Sequence, residues 1–572
     1  MNAVQIIINF KPKKMKIFIL GALVLILGIL QFSTAQTKEN PVVLKVDLAK
    51  EIGPMDPVWA WFGYDEPNYT YMKDGKKLLS EISALSPVPV YVRVHNLLTT
   101  GDGTPALKWG STNAYTEDKD GNPVYDWTIM DKIFDTFIER GMKPLVEIGF
   151  MPEALSTNPQ PYKHKLPELF TTGWSYPPKD YDKWAELIYQ WTLHSIERYG
   201  KKEVESWYWQ VGNESNSSYY FPGTKEEYFK MYDYATWAVK KACPKTTVGG
   251  PHSTSPSNEQ AANFLRDFLK HCQDGTNYKT GKKGTPLEYI SFHAKGSPKL
   301  VDGHVQMGMN LQLQDIAKGF EVIASFPKLK KLPVVIGESD PEGCAACSMQ
   351  EQPHLAYRNG TTYPCYQAAV FARKYELADL YKVNFKGAVT WSFEFEDRPW
   401  FNGHRDLATN GVNKPVMNIY RMFSMMSGTR INVTGGKYDL KTMIDNGVRG
   451  EEADINAMAC KDKNSVTVLV WNYHDDDLPV PASAIEIAIA GLPATNVLVH
   501  EYRIDKEFSN SYEVWKKMGS PQKPTPEQIT ELEKAGQLKL FTSPEWIKAN
   551  ADKTVKKIEL QRYGVSLIKF TW

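Results

Sequence analysis

The sequence predicts a (β/α)8 barrel followed by an antiparallel β-sandwich, and three observations carry that prediction. Between residues 55 and 428, short β-branched or aromatic runs alternate about eight times with longer amphipathic stretches, the rhythm of a parallel barrel. No glycine-rich phosphate turn follows the first run, which argues against a doubly wound dinucleotide fold. From residue 429 the helical period gives way to β-rich runs separated by turn residues, as in a sandwich.

In chain order, residues 1–35 read as a secretory address. Lys11, Lys13, Lys14 and Lys16 precede the apolar run Ile17 to Leu30, and Ser33-Thr34-Ala35 offers small residues for cleavage before Gln36. The run falls short of the roughly 20 apolar residues of a membrane span. Export to the periplasm or the medium is therefore expected, without stable membrane insertion of the mature chain; a retained anchor is the alternative. Residues 36–54 form a strand or linker that the sandwich could take up. The eight barrel strands are expected at Val58–Tyr64, Val88–His95, Lys143–Phe150, Ser206–Asn213, Thr246–Pro251, Tyr289–Ala294, Pro333–Glu338 and Gly387–Phe393. Helical patterns between them include Trp127–Arg140, Asp180–Tyr199, Thr224–Ala242 and Tyr366–Leu380. Over 429–572 the β-rich runs are Ser465–Tyr473, Ile485–Ile489, Asn496–Tyr502 and Lys556–Phe570, with a helical insert at 521–540.

Composition excludes some partners. Sixty-seven Lys and Arg stand against 66 Asp and Glu, so no bulk field favours nucleic acid or an anionic membrane. Sixteen Trp and 30 Tyr suit both a large core and sugar-stacking surfaces.

Two carboxylates stand out by position. Glu214 ends SWYWQVGNE and Glu338 ends PVVIGE, each closing an apolar strand, the fourth and the seventh. Strand C-termini line the working face of such a barrel, so the two should meet across its mouth. Two carboxyls about 5–5.5 Å apart serve a retaining glycosidase, one as acid/base and the other as nucleophile. Arg93 and His95, in YVRVHN, should enter the same mouth, with Arg93 keeping Glu338 ionised. Glu214 should have a raised pKa in order to stay protonated. Asn213 would hold a sugar 2-hydroxyl. That chemistry calls for no metal or organic cofactor, and the expected partner is an oligosaccharide.

With those residues in view, the chain resembles glycoside hydrolase family 39. The resemblance rests on YVRVHN, on the long block ending KKEVESWYWQVGNESN, on YISFHAKG and VVIGESDP, and on VTVLVWNY and YEVWKKMGSPQKPTPEQ further on. It implies Glu214 as acid/base, Glu338 as nucleophile, Asn213 as the neighbouring amide, and Arg93, His95 and His293 as pocket residues. The family usually carries Trp before the Asn-Glu pair and Pro after it; here Gly212 and Ser215 stand there. His293-Ala294-Lys295 departs from the His-x-Tyr of the β-xylosidases towards the α-L-iduronidase branch, whose lysine binds a substrate carboxylate. The resemblance thus implies β-xylosidase-like exo-hydrolysis of plant or algal oligosaccharides, with an iduronidase-like uronosidase and a non-catalytic sugar-binding barrel as alternatives.

Several assignments stay open on sequence grounds. Lys295 needs an acidic partner, either substrate or an internal one such as Asp340 or Glu394. Trp391, ending the eighth strand, serves as subsite floor or core. Glu147, Glu153, Glu394 and Glu396 are further candidates. Cys344-x-x-Cys347 lacks an obvious fourth metal ligand, His354 being the nearby histidine, and pairing of Cys347 or Cys344 with Cys365 is the expected disulfide.

Overall fold

The computed structural model describes residues 40–572 except 162, 167, 172 and 494, so the expected secretory segment lies outside the described residues. Eight parallel strands form the barrel: Trp61–Tyr64, Tyr91–Val94, Lys143–Ile148, Tyr208–Val211, Thr247–Ser253, Tyr289–Lys295, Pro333–Asp340, and an eighth broken into Asn384–Ala388 and Thr390–Trp391. The break closes the sheet, because the first piece pairs with the seventh strand and the second pairs with the first strand. Each expected strand is present, slightly shortened or extended at its ends. The eighth stops at Trp391 rather than Phe393, which carries Glu394 and Glu396 off the strand.

The interior is packed in layers, as alternation along each strand requires. Trp61 stacks on Tyr91 with centroids 4.0 Å apart, and Tyr208 meets both edge-on, closing the barrel floor. Above it Gly63 makes room for the Trp391 ring, since a Cβ at Gly63 would lie 2.4 Å from that ring.

Register irregularities aim the site. Phe292 pairs with Ile336, but the next residue, His293, pairs with Glu338, so Gly337 is an extra residue in the seventh strand. Val335 faces the barrel interior and Ile336 the surrounding helices. Strict alternation would send Glu338 outward with Ile336; the bulge turns it into the mouth. A second bulge, between Pro251 and Ser253 on the fifth strand, leaves His252 as the extra residue with φ 52°.

The sandwich strands are Val42–Pro54, Thr429–Thr434, Asp454–Asp462, Ser465–Tyr473, Ser483–Ala490, Asn496–Ile504, Thr554–Leu560 and Val565–Thr571, with short additions at one edge. Val42–Pro54 does join it, parallel to Ser483–Ala490 and antiparallel to Thr429–Thr434. The expected single run Lys556–Phe570 is two strands. Tyr563, at φ 62°, and Gly564 break it, and its halves pair with different partners. Ser465–Tyr473 shows why a strand can be buried on both faces. Val466, Val468 and Val470 enter the sandwich core, whereas Leu469, Trp471 and Tyr473 belong to the core shared with the barrel helices. The insert contains helices Ser511–Lys517 and Pro526–Ala535, the second opened by a capping box of Thr525 and Gln528. Trp515 and Leu532 pack it against Trp400, Phe401 and Val412. Among the described residues, no helix is long and apolar enough to cross a membrane.

Candidate active site

Glu214, His293 and Glu338 bring one side-chain ligand atom each within 4.8 Å of one another, all three buried. The two glutamates therefore face each other across the mouth of the barrel. Arg93 organises the ground beneath them. Its Nη1 donates to Glu338 Oε1 at 3.0 Å, its Nη2 to Asn213 Oδ1 at 2.8 Å, and its Nε to Gln210 Oε1 at 3.0 Å. Its Nη2 also lies 2.7 Å from Glu147 Oε2, and the guanidinium sits 4.7 Å from the Trp391 ring centroid. Arginine only donates, so the Asn213 oxygen must face it, which leaves that amide's N–H groups for a ligand hydroxyl.

His95 bridges two acids, with Nδ1 2.8 Å from Glu147 Oε2 and Nε2 3.2 Å from Asp65 Oδ1. Burial opposes its charge, but Glu147, Glu338 and Asp65 outweigh burial and push its pKa up to about 9. The Trp391 ring packs in the barrel core, and its Nε1 donates to Asp65 Oδ1 at 3.2 Å.

Lys295 bonds directly to Glu338 Oε2 and stands 3.9 Å from Glu214 Oε1. The expected internal partners are thereby corrected. Asp340 instead accepts from the Trp391 N–H and lies near Arg405, while Glu394 accepts from the Gly411 N–H. Glu396 caps Asp74 and Glu153 is exposed, so Glu147 alone of that group of four acids joins the site.

Electrostatics agree with expectation for one glutamate and correct it for the other. Burial would raise the Glu338 carboxyl, yet Lys295, His293, His95 and Arg93 hold it well below the usual carboxylate range. Glu214 was expected to be raised. Burial does push it upward, but Lys295 and the His293 hydrogen bond, 2.8 Å from Nδ1 to Oε1, more than offset burial and lower it. Lys295 keeps its charge because Glu338 and Glu214 outweigh its own burial. With Lys295 and Arg93 supplying the counter-charge, the trio is an ion-paired acid site rather than an open set of metal ligands.

The disulfide expectation is corrected too. Cys344 bonds to Cys347 within the loop after the seventh strand, and Cys365 is a free, buried thiol against Asn472 O. Sequence reasoning missed Asp65, Gln210 and His252. Parity offered a signal for two of them, since Asp65 lies two residues after the inward Gly63 and Gln210 lies two after the inward Tyr208. His252 sits on a bulge that the sequence does not announce.

A closed parallel barrel with two buried glutamates converging over the C-terminal ends of its strands defines the class, that of the (β/α)8 glycosidases. The chain belongs to the glycosyl hydrolases family 39, whose model matches residues 42–549, and it is a glycoside hydrolase. A β-xylosidase of Caldicellulosiruptor saccharolyticus is 27% identical over 435 residues, 73% of this chain and 78% of that protein. An α-L-iduronidase of Mus musculus is 23% identical over 530 residues, 86% of this chain and 75% of that one. The crystal structure of a family 39 enzyme from Xanthomonas axonopodis pv. citri superposes with a TM-score of 0.72 at 20% identity, covering 95% of this chain and 99% of that one.

Proposed function

We propose that the protein removes a terminal β-xyloside-type sugar from plant or algal oligosaccharides by double displacement with retained configuration. The observation that carries this reading is the closeness of Glu214 and Glu338, one carboxylate oxygen of each lying within 4.8 Å of the other. Glu338, held ionised by Arg93 and Lys295, attacks the anomeric carbon and forms a glycosyl ester. Glu214 protonates the departing oxygen and then takes a proton from the water that releases the sugar. A glycoside seated between the glutamates shuts solvent away from Glu214, and that added desolvation, the influence that already pushes its pKa upward, favours the protonated acid. Asn213 binds the 2-hydroxyl, and Arg93, His95, His293 and Trp391 shape the pocket.

One observation favours a second reading, an α-L-uronide. Lys295 sits on Glu338, and a substrate carboxylate would give that lysine a partner once Glu338 is esterified. The discriminating experiment is a panel of aryl β-xyloside, α-L-arabinoside and α-L-iduronide with wild type and Glu338→Gln. Release from the xyloside that is lost in Glu338→Gln supports the first reading; release from the iduronide alone replaces it with the second. We further propose that the chain is exported and matures at Gln36, which N-terminal sequencing of secreted protein tests.

A further inference from the structure

Behind the acid/base candidate Glu214 runs a buried line of three groups to which the double displacement assigns no proton transfer. Glu214 Oε1 meets His293 Nδ1 at 2.8 Å, and His293 Nε2 meets His252 Nδ1 at 3.4 Å. His252 Nε2 in turn meets the Tyr289 hydroxyl at 3.2 Å. His252, His293 and Tyr289 are all fully buried. The line is built with some effort. His252 occupies the left-handed region as the bulged residue of the fifth strand, a costly place for a side chain. Gly337 leaves it room, since a Cβ there would lie 2.1 Å from His252 Nδ1.

The hydrogens in this line have a direction, and the far end sets it. Among the described residues His252 is the hydrogen-bond partner of the Tyr289 hydroxyl. Were that hydroxyl to accept, its own hydrogen would be buried without a partner; donating leaves only a lone pair unfilled, the cheaper choice. His252 Nε2 is then an acceptor, so in the neutral ring Nδ1 carries the hydrogen. That N–H points to His293 Nε2 and is shared with Ser291 Oγ at 3.1 Å. His293 must then carry its hydrogen on Nδ1, facing Glu214. Burial and the nearby Arg93 keep His252 neutral, as the argument requires.

We propose that Tyr289 and His252 are positioning residues that fix the tautomer of His293, so that its Nδ1–H always points at Glu214 and favours the carboxylate. This rests on the reading of Glu214 as acid/base. Other charges facing Glu214 are Lys295 on the sixth strand, Glu338 on the seventh, and Asp315 from helix Met309–Ala324. Those facing His252 are Arg93, His95, His293 and Glu338. None of the variants below removes any of these charges.

The test is the pH profile of kcat/KM on an aryl glycoside for wild type, Tyr289→Phe, His252→Leu and His252→Asn. The basic limb reports the acid/base and the acid limb the nucleophile. Tyr289→Phe and His252→Leu should move the basic limb up by about 0.5–1 pH unit, the worth of roughly one hydrogen bond, and leave the acid limb in place. His252→Asn, whose amide can present an N–H to His293, should return towards wild type. A basic limb that stays or falls, or limbs that move together, overturns the proposal. If His252→Leu does not fold, Tyr289→Phe decides alone. Nitrogen-15 NMR of labelled histidines reads the tautomers without activity: His293 should be Nδ1–H in wild type and a mixture in Tyr289→Phe. A wild type inactive on every glycoside sinks the functional reading, whereas a wild-type His293 in the Nε2–H form sinks this one.

Discussion

Lys295 and Arg93 divide the Glu338 carboxylate between them, the lysine on Oε2 and the arginine 3.0 Å from Oε1. Two cations on one buried carboxylate favour its ionised form, as a nucleophile needs. They also set up an imbalance. When Glu338 becomes an ester its charge is gone, and Lys295 keeps only more distant acids, Glu214 at 3.9 Å and Asp340. A buried ammonium that loses its close partner is costly.

Substitution of Lys295 therefore separates the two substrate classes. Lys295→Ala should lower kcat/KM on a neutral xyloside, because Glu338 loses a counter-ion. On an α-L-uronide it should lower it by at least a further tenfold, about 1.4 kcal/mol or one charged hydrogen bond. The measurement is the ratio of the two specificity constants in wild type and variant. An unchanged ratio means that Lys295 serves the nucleophile and not the sugar.

The glutamates should respond differently to leaving-group chemistry. Glu338→Gln should abolish turnover of every glycoside, since no ester can form. Glu214→Ala should slow poor leaving groups by roughly 10²–10⁴-fold, the usual worth of a positioned acid, yet slow a dinitrophenyl glycoside much less in its first step. Burst kinetics on that substrate would display accumulated glycosyl-enzyme. The same response from both variants would contradict the assigned roles.

His95 links activity to stability through pH. Its pKa rises from the ordinary 6.5 to about 9 in the fold, so the stability it contributes is whole below pH 6.5 and fades as pH climbs through about 9. For a fully buried group the loss is on the order of 3 kcal/mol. Denaturant melts at several pH values between 6 and 10 should show wild type losing its advantage over His95→Asn across that window. Parallel curves would mean that the fold does not raise the His95 pKa.

The loop after Glu338 makes a simple chemical prediction. With Cys344 bonded to Cys347, and with Cys243, Cys272, Cys365 and Cys460 reduced, denatured protein without reductant should titrate four thiols. Peptide mapping should place the bond inside one short loop. A crosslink to Cys365 would require its sulfur to leave the buried site against Asn472 O.

Much of this was legible in the chain because barrel strands carry strong local signals. Eight apolar runs between amphipathic helices placed Glu214 and Glu338 on the right strand ends, and alternation brought Arg93 and His95 inward. What escaped depends on register. The bulges at Gly337 and His252 decide which way Glu338 and His252 point, and no propensity marks them. The partner of Lys295 and the lowered pKa of Glu214 also escaped. Both depend on side chains from the fourth, sixth and seventh strands meeting at one point, which no window of sequence contains. The run Lys556–Phe570 misled because a single corner, at Tyr563 and Gly564, splits a continuous β-rich stretch between two partners.

Gly63 ties the barrel's packing to its chemistry. A Cβ at this position would stand 2.4 Å from the Trp391 ring and 2.8 Å from the Arg93 carbonyl oxygen. The carbonyl belongs to a paired strand and cannot yield, so the ring must. Trp391 is also the stacking partner of the Arg93 guanidinium and the donor to Asp65. Gly63→Ala should thus cost about 1–3 kcal/mol of stability, as overpacking in a filled core does; on the proposed role of Trp391 in shaping the pocket, it should also raise KM for the glycoside more than it lowers kcat. Thermal melts and steady-state kinetics on the same preparation check both halves. A destabilised enzyme with unaltered KM would place Trp391 in the core alone and remove it from the subsite.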